Sequence, residues 1–190
     1  MTDYPRSLAG RIAYAWSAPM TSWRAEWAGP PPEARLVALA FGAALFLTLG
    51  PVAAEAIRPA LALGEERAAW FAARLLIGFS FLPLGLYAVA SLIALICKLF
   101  RGAAPNDGSS WKACRLALFW SALASGPAAA VSHAVGAMID ADGVASFVAG
   151  AVWAILLAPM LAAAQGFAPY RVVLVFIALA LGAAFASTGL

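Results

Sequence analysis

The sequence predicts an all-α, polytopic membrane protein: five transmembrane helices preceded by an N-terminal amphipathic interfacial helix. Three observations predict it. Residues 36–54, 75–97, 116–139, 143–170 and 172–190 contain no Asp, Glu, Lys or Arg, and about 20 apolar helical residues suffice to cross a bilayer core. The 190-residue chain is 64% hydrophobic and 11% charged, too little polar surface for a soluble domain of this length. Outside the apolar runs no stretch exceeds about 35 residues, too few for a catalytic domain with its own core. The expected organisation is a cytoplasmic amphipathic segment over 1–33 and one membrane domain over 34–190, with spans at about 34–57, 69–100, 111–139, 144–167 and 171–188.

In the N-terminal segment Leu8, Ile12, Trp16, Met20, Trp23 and Trp27 recur at spacings of four and three. At 100° per residue they share an arc of about 120°, and Arg6, Arg11, Ser17 and Arg24 fall outside it. Pro19 breaks or restarts the helix, because its ring suits a first turn and not an interior one. Aromatic side chains on one face with arginines elsewhere suit a helix lying among lipid headgroups, anchored by those six residues. The alternative is a helix packed on the cytoplasmic ends of the spans. Gly29-Pro30-Pro31-Pro32 closes the segment, since three prolines cannot continue a helix.

Glu33 and Arg35 open the first span, and Pro51 lies late in it. A charged turn follows at residues 58–68. The second span is longer than a bilayer is thick, so it tilts, kinks at Pro83 or protrudes. Residues 102–110, GAAPNDGSS, form a polar loop whose serines can cap the next helix. The third span carries Lys112 and Arg115 in its first turns and Gly126-Pro127 near its centre. Asp140-Ala141-Asp142-Gly143 is an acidic turn, Pro159 lies inside the fourth span, and Arg171 opens the fifth.

Loop charges orient the spans. With the N-terminus inside, Arg6, Arg11, Arg24, Arg35, Lys98, Arg101, Lys112, Arg115 and Arg171 are cytoplasmic, and only Arg58, Arg67 and Arg74 are outside. This asymmetry follows the positive-inside rule. The C-terminus is then periplasmic, in a bacterial inner membrane. Arg outnumbers Lys ten to two, a usage expected of a GC-rich bacterial genome. No cleavable signal is expected, because the first thirty residues lack a compact apolar core. The two cysteines, Cys97 and Cys114, make no CxxC pair and read as reduced thiols near helix ends.

Chemistry-bearing residues are few. His133, the only histidine, falls inside the third span, where an ionisable group is a functional candidate by default. A metal needs three or four ligands, and none stands at helical spacing beside it, so packing as a neutral side chain is the plainer meaning. Glu55 and Arg58 are three apart and can pair along the helix; Arg74 is an alternative partner for Glu55. Gln165 lies near the inner end of the fourth span. No nucleophile elbow, HExxH or phosphate-binding loop is present, and no basic patch with interleaved aromatics points to nucleic acid. Gly126, Ala130, Gly136, Gly143, Ala149, Gly150, Gly182 and Ala186 offer small faces for close helix packing.

The order of these elements resembles bacterial members of the Yip1 domain family. Pro19-Met20-Thr21-Ser22-Trp23 precedes the first span, and Arg115-Leu116-Ala117-Leu118-Phe119-Trp120-Ser121-Ala122 followed by Pro127 occupies the third. The resemblance covers about residues 8–187. It implies a five-span protein without assigned catalysis and supplies no catalytic residue.

The expected function is therefore that of a non-enzymatic integral inner-membrane protein, a scaffold or accessory subunit. No cofactor is expected. Membrane lipids and other integral subunits are its partners, nucleic acid is not, and self-association is left open. The alternative is a small transporter or channel working as an oligomer, with its proline-bent spans around a site. A lipid-modifying enzyme would need converging acids, bases or ligands that the spacing does not supply.

Overall fold

The computed structural model describes residues 4–57, 65–101 and 108–166; the side chains at 57, 65–67, 96–101 and 108–110 are also outside the description. The fifth span expected at 171–188, Arg58, Arg171 and the side chains of Cys97, Lys98 and Arg101 lie outside the described residues.

Six α-helices and no strand are present among the described residues: α1 (Leu8–Ser17), α2 (Pro19–Glu26), α3 (Glu33–Ile57), α4 (Glu65–Arg101), α5 (Gly108–Met138) and α6 (Asp142–Gln165). Four contain segments long and apolar enough to cross a membrane: Glu33–Ala56, Ala68–Leu95, Trp111–Met138 and Asp142–Gln165. These are the first four expected spans, shifted at most by a few residues. Helix α4 has 37 residues and is about 55 Å long, so it overreaches a bilayer core.

The N-terminal segment is two helices. Ser7 caps α1, its hydroxyl accepting from Gly10 N at 3.2 Å. Ala18 leaves the helical region, and Pro19 restarts the chain as the first residue of α2. Pro51, Pro83, Pro127 and Pro159 sit inside α3 to α6, and each helix continues through its proline.

Helix α5 is the axis. It packs against α3, α4 and α6 and against both N-terminal helices, and residues 116–126 are buried without a break. Helices α3 and α5 run in parallel: Arg115 meets Glu33, and substituent-free Gly42, Gly126 and Gly50 lie against Leu123, Phe46 and Ala130. Helices α4 and α6 run the other way, placing Tyr87 on Phe119 and Trp153 on Ser121. The starts of α3 and α5 and the ends of α4 and α6 therefore share one end of the bundle, called here the Glu33 end.

Small residues set the helix distances. A Cβ at Gly126 would lie 2.6 Å from Phe46 Cβ, and one at Gly50 would lie 3.2 Å from Ala130 Cα. Gly78 abuts Thr48, and Gly136 abuts Ala145. Gly143 and Gly150 face open space, and Gly182 and Ala186 lie outside the described residues. Gly126→Ala is therefore expected to push α3 from α5 and lower stability by about 1–3 kcal/mol, the usual cost of overpacking. Gly150→Ala meets nothing and gains helix propensity, up to about 1 kcal/mol. Unfolding by graded SDS in mild detergent checks the pair; equal shifts would contradict the packing.

Candidate functional site

The densest polar arrangement lies where the N-terminal helices meet the bundle. Glu26, in the last turn of α2, has a side chain only 1% exposed. Its Oε1 accepts from the Tyr4 hydroxyl and from Arg11 Nη2, and from Arg11 Nε at 2.7 Å. Its Oε2 accepts from Arg35 Nη2, and its main-chain oxygen accepts from Arg35 Nη1 at 3.2 Å. One carboxylate thus joins the start of the chain, α1, α2 and α3. Two arginines on one acid leave a local charge of +1. Removing a lone carboxylate from water is unfavourable by several kcal/mol, and only charge-assisted hydrogen bonds of this number offset it. Burial, then the bond to Glu26, pushes the Tyr4 phenol above its usual value, so it remains a donor.

Aromatic rings join this cluster to α5. The Arg11 guanidinium faces the Trp120 ring at 5.3 Å and the Tyr4 ring at 5.7 Å, geometries suited to cation–π attraction. Trp120 is fully buried and donates from Nε1 to Ser22 Oγ at 2.9 Å. Trp16 Nε1 donates to the Ala124 carbonyl at 3.1 Å, one residue beyond the Leu123 carbonyl that Pro127 deprives of its helical donor. Trp153 Nε1 donates to Ser121 Oγ at 3.0 Å. Ser121 and Ser125 return their own protons to Leu118 and Ala122 carbonyls one turn back. A second, more exposed pair lies nearby: Arg115 Nη1 donates to Glu33 Oε1 at 2.7 Å and lies over the Tyr87 ring.

The six expected anchors do not share one environment. Trp23 is buried, stacks on Trp27 with centroids 5.6 Å apart, and leaves its Nε1 without a partner. Ile12 and Trp27 pack against the core, and Met20 is half-buried. Leu8 is 52% exposed, and Trp16 is 43% exposed although its indole N–H reaches Ala124 on α5. The arc therefore divides between protein and surroundings, because α1 and α2 are separate rods and no single helical wheel covers both.

The expected intramembrane polar residues are dispersed. His133 is half-buried, its Cδ2 against the Cα face of Gly50. Glu55 is half-buried near the far end of α3, and Arg74 is exposed over the Trp70 ring at 5.6 Å. Gln165 is buried in the last turn of α6, which Gly166 ends with a left-handed φ of 69°. Cys114 is buried, its thiol 3.6 Å from the Ala90 carbonyl. Among the described residues no three His, Cys, Asp or Glu side chains are grouped as metal ligands. The Glu26 cluster was absent from the sequence expectations. Its signal was an acid on the apolar arc, between Trp23 and Trp27, where the other charges from Arg6 onward to Trp27 are all arginines.

No family model, curated protein or solved structure matches this chain.

Proposed function

We propose that this chain is a non-enzymatic integral inner-membrane protein, Yip1-like, that acts as a scaffold or accessory subunit through helix–helix and lipid contacts. One observation carries the reading. Trp16, Trp120, Ser121, Ser125 and Trp153 all direct their polar atoms to one another, to Ser22 or to main-chain carbonyls, while large apolar side chains face outward: Leu76, Phe81 and Leu84 from α4, and Phe147 and Ile155 from α6. An interior spent on packing with an apolar exterior suits a body embedded in lipid or against other helices. On this reading the Glu33 end is cytoplasmic, with Arg6, Arg24, Arg35, Lys112 and Arg115 gathered there.

Purification in a gentle detergent, with mass determination of the intact particle, tests the reading. A stoichiometric integral partner supports it; a homo-oligomer around a water-filled path would replace it with a channel or transporter. His133→Ala is expected to rescue a deletion strain as fully as the unaltered gene. Loss of a proton-coupled uptake in that variant would speak for transport.

A further inference from the structure

We infer that residues 8–26 form a re-entrant hairpin. It enters one leaflet from the Glu33 end, turns at Ala18-Pro19 near the bilayer midplane, and leaves by the same face. The inference rests on the reading of α3 to α6 as membrane spans.

The register against α5 carries it. The apolar segment of α5 is Trp111–Met138, so its midpoint falls at residues 124 and 125. Trp16, next to the end of α1, bonds to the carbonyl of Ala124. That carbonyl is 13 residues past Trp111, about 20 Å along the axis, within a hydrocarbon core about 30 Å thick. Arg11, five residues earlier in α1, lies over Trp120. Ser22, in α2, returns to Trp120. Glu26, one turn later, meets Arg35 at the start of α3. Contacts thus go inward along α1 and outward along α2. The advance of four residues on α5 between Trp120 and Ala124, about 6 Å, matches the five-residue advance on α1, about 7.5 Å. A helix lying flat among the headgroups would meet α5 at one level, beside Lys112 and Arg115.

Length and chemistry agree. Helix α1 has 10 residues and α2 has 8, about 15 and 12 Å, each near half the core thickness. Residues 12–23 carry no charge, and Arg11, Arg24 and Glu26 bound them on the side toward the Glu33 end. The turn also goes part of the way to meeting the requirement that main-chain polar groups in hydrocarbon find partners within the protein. Ala18 N and the Ser17 hydroxyl both donate to the Tyr14 carbonyl, the Ala18 carbonyl accepts from Ser22 N, and Pro19 has no N–H to satisfy. The Glu26 cluster then closes the two limbs on the Glu33 side of the turn.

Nitroxide depth measurement tests this in the full chain, reconstituted into phosphatidylglycerol–phosphatidylethanolamine vesicles. Single cysteines are introduced at Ser17, Ala28 and Phe81 in a Cys97→Ala, Cys114→Ala background whose gel-filtration profile matches the unaltered protein. Each of the three positions is exposed on the protein, so the label disturbs little packing. Phe81 lies at the middle of the α4 span and calibrates depth. The expected result is that Ser17 matches Phe81 in its ratio of oxygen to nickel-chelate collisions, several-fold above Ala28. Ser17 matching Ala28 while Phe81 reads deep would overturn the hairpin and leave the spans intact. Phe81 itself reading water-exposed would overturn the membrane reading and the hairpin with it.

Discussion

Trp120→Ala is expected to lower stability by about 3–5 kcal/mol, the cost of emptying a large aromatic site in a packed interior. Trp120 is fully buried, about one turn short of the middle of the α5 apolar segment, where it lies under Arg11 and holds Ser22 by its indole N–H. The loss therefore has two parts. The cavity destabilises the bundle, and the N-terminal helices lose the ring on which they rest. Trp120→Phe separates the parts: it fills most of the volume and leaves the Ser22 hydroxyl without its donor, a change of about 1–2 kcal/mol. Unfolding in graded SDS, read by circular dichroism, measures both. An alanine variant as stable as the unaltered chain would mean that α5 is not the core.

The second large effect is expected at Glu26. Glu26→Gln keeps the shape and removes the charge, leaving Arg11 and Arg35 to face each other without a counter-ion. Hydrogen bonds to charged groups contribute about 1.5–3 kcal/mol. The two guanidinium groups still reach water, with side chains 27% and 38% exposed, so the loss should be about 2 kcal/mol, below that of a fully enclosed ion pair. It should appear first as detachment of the N-terminal helices, with faster tryptic cleavage after Arg11 and Arg24 in otherwise folded protein. Replacing Arg11 and Arg35 by Met and Glu26 by Leu together removes the Arg11 site but should restore most of the protection at Arg24, because apolar substitution of a whole buried ion set is often neutral or better. Unchanged cleavage in Glu26→Gln would show that the cluster does not hold the segment.

The four long helices were legible because a bilayer-length apolar run is a coarse signal. The ends of α3 to α6 differ from expectation by only a few residues. Which helix would lie at the centre was less obvious, although the sequence contained a clue. The α5 segment has the lowest mean hydropathy of the four and is the most enclosed. In lipid the outward faces must be strongly apolar, whereas a protein-facing helix can be rich in Ala, Ser and Gly. The N-terminal arc was legible as an arc and Pro19 as its break. Its direction was not, because buried Trp23 and half-exposed Leu8 are both apolar. The Glu26 cluster joins residues up to 22 positions apart; helical spacing describes neighbours within a few turns and is silent on such pairs.

The partners of Glu26 all emerge from the ribosome by residue 35, whereas the α5 groups that meet Ser22 and Trp16 lie 98 and 108 residues beyond those two side chains. At about 5–20 residues per second of translation, that interval lasts about 5–20 s. During it the amino-terminal unit can knot its charges together but has nowhere to settle, and the newborn chain must be sheltered until its berth is made.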